Sequence, residues 1–72
     1  MKTFLLTISL YDENDGDTIT HALEGMATEL VYVPFGDAML ISGQTNLPLG
    51  AFHLTFFRET DIPYDDWEVK YS

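Results

Sequence analysis

A chain of 72 residues without a single cysteine has no covalent staple and no thiolate metal site, so its hydrophobic core has to carry the fold. A chain of this size buries only about 60% of the surface its unfolded form exposes. The stability margin is therefore thin, and self-association has something to add. The length corresponds to one small domain, residues 1–72. Hydrophobic residues make up 46% and aromatics 14%, which is globular composition and excludes disorder.

Residues 3–10 (TFLLTISL) alternate. Phe4, Leu6, Ile8 and Leu10 share one face and Leu5, Thr7 and Ser9 the other, which is the period of a strand. Leu5 on the second face points to a well-covered, central strand. Residues 11–17 (YDENDGD) read as a polar loop, with Asp17 or Thr18 as the N-cap that accepts from the free amides of a first helical turn. Ile19, Ala22, Leu23, Met26, Ala27 and Leu30 follow at helical spacing and predict a helix over about 18–29, in spite of Gly25. Residues 30–42 read as a hairpin turning at Gly36-Asp37. Pro34 lacks an amide hydrogen and places its strand at an edge or a bulge.

Residues 43–50 are loop chemistry. The stretch 51–57 (AFHLTFF) fits two periods. A strand groups Phe52, Leu54 and Phe56; a helix groups Leu49, Phe52, His53, Phe56 and Phe57. The aromatics, the threonine and Gly50 favour the strand. After an acidic, proline-bearing connection over 58–66, Trp67, Val69 and Tyr71 alternate as a terminal strand. The expected architecture is α+β, one helix packed on a mostly antiparallel sheet of four to five strands. If 49–57 is helical, the order becomes the ferredoxin-like βαββαβ arrangement.

Twelve acidic residues stand against three basic ones, for a formal net charge of −9. The acids gather in 12-DENDGD-17 and again between Glu59 and Glu68. Such a surface repels phosphate and anionic lipid, and it attracts basic protein faces over a Debye length of ~8 Å. Direct nucleic-acid binding needs a basic face, and Lys2, Arg58 and Lys70 are too few to make one. No stretch reaches membrane-spanning length, and residues 4–10 are too short and too polar for a signal peptide. The expected location is cytoplasmic, the host cytoplasm for a phage-encoded chain.

Catalytic and metal constellations do not assemble. In a calcium loop begun at Asp12, glycine falls at position 5 and Leu23 at position 12, so the register fails. Asp65 and Asp66 are adjacent, and on extended backbone they point apart. His21 and His53 show no spacing for a shared metal, and Asp17 lies one helical turn before His21. Ser9, Ser42 and Ser72 lie in no nucleophile motif, and no phosphate-binding loop is present. The chain is read as non-enzymatic, without cofactor or metal.

Too many aromatics are present for all to be core. Tyr64 and Trp67, ringed by Asp61, Asp65, Asp66 and Glu68, have the make-up of an interface anchor. Alternate residues of a strand advance about 6.6–6.8 Å, close to two ~3.4 Å phosphate steps. On extended backbone, Asp15/Asp17, Glu59/Asp61 and Asp66/Glu68 would track a nucleic-acid strand. The expected partner surface thus comprises Asp12, Glu13, Asp15, Asp17, Glu59, Asp61, Tyr64, Asp65, Asp66, Trp67 and Glu68. The expected partner is a basic face of a nucleic-acid-binding protein or complex, with a homodimer through a sheet edge as an alternative.

On 12-DENDGD-17 and 59-ETDIPYDDWE-68 the chain resembles, in charge and size, the small acidic inhibitors of phages and mobile elements, including anti-CRISPR proteins. The resemblance implies a blocker of a nucleic-acid-handling complex. The opening MKTFLLTISLYDEND, followed by a helix and a hairpin, also looks like the small ferredoxin-like nucleases of CRISPR adaptation. That second likeness implies a metal-holding aspartate after the first strand, at Asp12.

Overall fold

Six main elements follow one another in a computed structural model that describes residues 1–9 and 13–72, with backbone alone for 13–15. They are β1 (Lys2–Ser9), α1 (Glu13–Glu24), β2 (Thr28–Phe35), β3 (Ala38–Thr45), α2 (Leu49–Thr60) and β4 (Trp67–Tyr71). A single 3-10 turn, Tyr64–Asp66, leads into β4. The strands lie in the order β2-β3-β1-β4, and every neighbouring pair is antiparallel. This is an α+β fold with an antiparallel four-stranded sheet, wound in the ferredoxin-like βαββαβ order.

The second helix corrects the strand reading of 51–57. β3 pairs antiparallel with β1, and so does β4, on its other side. The chain leaving β3 therefore has to run the length of the sheet before β4 can start. Twelve helical residues at ~1.5 Å each cover ~18 Å and do so. Phe52 and Phe56, one turn apart, are buried, whereas Leu54 is exposed, as helical and not strand periodicity requires.

α1 begins at Glu13, five residues earlier than its apolar periodicity suggested, and ends at Glu24. Asp17 and Thr18 are thus inside the helix and not at its start, which corrects their reading as the N-cap. The hairpin extends to 28–45 on either side of the expected turn. Gly36 and Asp37 form the turn, and of the two Gly36 alone has a positive φ, 61, the pattern of a two-residue hairpin with glycine first. Pro34 lies on β2, an edge strand, as its missing amide hydrogen predicts. The register between β2 and β3 slips between Thr28 and Val31, where Glu29 adopts φ 57. Opposite this bulge stands Gly43, buried beneath Leu30, the Thr28 carbonyl and the Phe4 ring.

Both helices cover the same face of the sheet. Phe4, Leu6 and Ile8 of β1, Ile41 of β3 and Trp67 and Val69 of β4 meet Ile19, Ala22 and Leu23 of α1 and Phe52 and Phe56 of α2. Phe52 is central, with its ring 5.0 Å from Phe4 and 6.1 Å from Phe56. Thr45 links two connections beneath the core: its hydroxyl donates to the Met26 carbonyl at 3.0 Å and accepts from the Leu47 amide at 3.1 Å. β1 is central as expected, but Leu5 is 45% exposed, because both helices lie on the opposite face of the sheet.

Tyr32 faces the helices with its hydroxyl withdrawn from solvent and no hydrogen-bond partner. Burial pushes this phenol above its ordinary value; the Thr20 hydroxyl acts the other way without reaching bonding geometry, and Glu24 adds to the rise. The folded state holds the proton more tightly than the unfolded chain. The stability linked to it is complete below the unfolded value of about 10 and is lost as pH rises through the elevated folded value. Tyr32→Phe should raise unfolding free energy by about 0.5–1 kcal/mol at neutral pH. It should also flatten the alkaline fall in urea-denaturation midpoints between about pH 9 and 11.

Candidate functional site: an acidic end of the sheet

The winding decides where the acids go. β1 ends and α1 begins at the end of the sheet where β2 turns into β3, and where α2 hands over to β4; Ser9 pairs with Ala38, and Ile8 with Trp67. The first acidic run enters α1 at this end, with Glu13, Asp15 and Asp17 in its first half. The second run arrives there from α2: Glu59 in the last turn, Asp61 at its C-cap, Asp65 and Asp66 in the 3-10 turn, and Glu68 at the start of β4. Asp37 joins them from the hairpin turn. Two runs separated by more than forty residues in sequence thus share one pole. Asp12 lies outside the described residues, and so do the side chains of Glu13 and Asp15.

The local backbone brings its own cost. Glu59 and Asp61 sit at the C-terminus of α2, where free carbonyls give the helix its negative end. Asp61 is also left-handed, at φ 56, and its amide donates to the Phe57 carbonyl at 2.7 Å to close the helix. Arg58 is the basic residue in that last turn.

Tyr64 and Trp67, proposed together as an anchor, take different positions. Trp67 is 6% exposed, and its indole N–H donates to the Ile62 carbonyl at 3.0 Å. It packs edge-on against Phe56 at 4.8 Å and belongs to the core beneath Tyr64, not to the groove lining. Tyr64 is 46% exposed and lies above it at 5.4 Å, stacked on Phe57 at 4.8 Å and on His53 at 6.0 Å. Phe57, Asp61, Pro63, Tyr64 and Asp65 line an open groove of about 400 Å³. An aromatic floor with carboxylates at its rim is suited to a guanidinium or ammonium group, held by both charge and ring face. Phe57 was visible in the sequence only as one more aromatic. Asp37 gave no signal until the sheet order placed its turn beside the other acids.

For two of the three acidic pairs the spacing expected for a phosphate-like track does not form. Asp15 and Asp17 are on a helix, and Glu59 and Asp61 end another, so the advance of an extended strand applies to neither pair. The site is a cluster at one pole and not a ladder. Among the described residues, no group of three or more histidine, aspartate or glutamate side chains could hold a metal ion. Among them also, no helix is long and apolar enough to cross a membrane. Comparison with protein-family models, with curated proteins and with solved structures finds no match to this chain.

Proposed function

We propose that this chain is a non-enzymatic, cytoplasmic binding protein whose acidic end occupies a basic face of a nucleic-acid-handling protein and keeps nucleic acid from it. The observation that supports this most is the convergence of two distant acidic runs on one pole. Charge that served hydration alone would have no reason to be segregated. Two of the acids also oppose the dipole of α2, at about 0.3–1 kcal/mol each. A cationic partner offsets that cost on binding. The groove around Tyr64 gives the contact an apolar centre, into which one arginine or lysine of the partner inserts. The functional class is that of the small acidic inhibitors the chain resembles in charge and size.

The test uses a partner captured from the native host and then purified. Binding to the wild-type chain should be fast, should weaken about tenfold between about 50 and 300 mM salt, and should be competed by nucleic acid. The triple variant Asp65→Lys, Asp66→Lys, Glu68→Lys should lose about 100-fold or more in affinity while keeping its far-UV circular dichroism. A partner that binds the triple variant as well as the wild type, or ignores salt, rules the proposal out. One observation favours a second reading: the βαββαβ order is that of the small nucleases of CRISPR adaptation. Divalent-metal-dependent cleavage that disappears in Asp12→Ala would put that reading in first place.

A further inference from the structure

The face of the sheet turned away from the helices carries an apolar stripe. Val31, Val33 and Phe35 on the edge strand β2 are exposed, Phe35 to 71%. Val33 is paired across to Leu40 of β3, and Leu40 in turn to Thr7 of β1, next to exposed Leu5. Large exposed apolar patches on a monomer mark contact surfaces. The charged strand residues on this face are Glu68 and Lys70 of β4, 3.6 Å apart and mutually neutralising. A protein of net charge −9 therefore has one face of little net charge, on which an apolar stripe along β2, Leu40 and Leu5 lies among neutral polar residues such as Thr7 and Ser42.

We propose that this face packs against the same face of a second copy, in a two-fold dimer whose axis lies between the sheets and across the strands. Neutrality argues for the second copy as occupant. A cationic partner would select carboxylates on the face it covers, whereas a partner with the same negative excess needs a contact free of net charge. The axis follows from the position of the acids. Turning one copy end over end sends the two acidic poles to opposite ends of the assembly. They are then separated by roughly the length of an eight-residue strand, ~27 Å, well beyond the ~8 Å screening length. The same rotation lays β2 on β2 and β4 on β4. Val31 of one copy meets Val33 of the other, and Glu68 meets Lys70, so the contact is self-complementary as a two-fold interface requires.

The area is adequate. Four strands at ~4.8 Å and eight residues at ~3.4 Å outline a footprint of roughly 500 Å² per copy. Doubled, and enlarged by side-chain relief, this reaches the small end of specific interfaces, near ~1,200 Å² in total. A dissociation constant of about 1–100 µM is expected. The dimer is read from the apolar face and not from the acidic end, although Glu68 belongs to both surfaces.

Sedimentation equilibrium of the full chain from about 1 µM to 1 mM tests the proposal. The mass should rise from 8.2 kDa toward twice that value, with association unchanged or strengthened by salt, opposite to the trend expected at the acidic end. Val31→Lys with Val33→Lys should hold the chain monomeric at concentrations where the wild type is dimeric, although these changes reduce its net negative charge. Leu54→Lys, on the exposed side of α2, should dimerise normally. On dilution of the unmodified protein, amide resonances of β2 and β3 should shift and those of α1 and α2 should not, a readout independent of any variant's folding. A monomeric wild type throughout, a dimeric double-lysine variant, or dilution shifts confined to the helices would each overturn the dimer.

Discussion

Trp67→Ala should lower the unfolding free energy by about 3–5 kcal/mol. At about 0.05–0.15 kcal/mol per residue, a chain of 72 residues has only about 4–11 kcal/mol in total, so the variant should be partly unfolded at 37 °C. The magnitude follows from the position of the ring. It is buried at the start of β4, set edge-on to Phe56 at 4.8 Å and tilted 5.0 Å from His53. Trp67→Phe separates packing from hydrogen bonding. It keeps most of the apolar volume but leaves the Ile62 carbonyl without its indole donor, which should cost about 1–2 kcal/mol. Urea denaturation followed by circular dichroism measures both. A loss below about 1 kcal/mol for the alanine variant would be incompatible with a core tryptophan.

Gly43→Ala is the second large effect. A methyl group at this position would stand 2.9 Å from Leu30 Cδ2, 3.0 Å from the Thr28 carbonyl oxygen and 3.1 Å from Phe4 Cε1. The leucine end can swing aside, but the carbonyl belongs to the bulged edge strand and the phenylalanine to the packed core. Relief therefore requires β2 to move away from β3. Overpacking of this kind costs about 1–3 kcal/mol, and here the upper part of that range is expected. The loss should be concentrated in β2, so amide exchange there should accelerate more than in β1 or β4. Uniform acceleration, or none, would mean that the bulge does not hold Gly43 in so close a contact.

Much of this architecture was legible from periodicity. β1, the hairpin with its Gly36-Asp37 turn, the edge position of the Pro34 strand and the terminal strand all follow from alternation and turn chemistry. α2 did not, because its local and long-range preferences conflict. Phe52, Thr55, Phe56 and Phe57 are strand-prone residues, but β4 has to be carried to the far end of β1, and a helix is the connection that does so while burying Phe52 and Phe56. The early start of α1 was hidden for another reason. Residues 13–17 are all polar or glycine, so its first turn offers no apolar period to read, although acids there suit the positive end of a helix. At its other end the pattern overshot, since Met26, Ala27 and Leu30 pack against the core from beyond the helix.

The site was legible in composition and illegible in geometry. The acidic residues and Tyr64 were identifiable as surface chemistry. Their meeting at one pole depends on which strand lies beside which, and spacing along the chain does not carry that information. Trp67 could not be separated from Tyr64 by residue type, since both are amphipathic aromatics; the indole bond to Ile62 separates them.

Because most of the acids lie toward one extremity, while Glu24 and Glu29 share the other with Lys2, each molecule is electrically lopsided along its strands. Such a body experiences a torque in the field of a cationic surface before any atoms touch. It arrives already turned the right way round, and the rotational search that limits most encounters is shortened. Paired end over end as inferred above, two copies would cancel this moment, so the dimer would approach a target without that alignment while presenting a charged tip at either extremity.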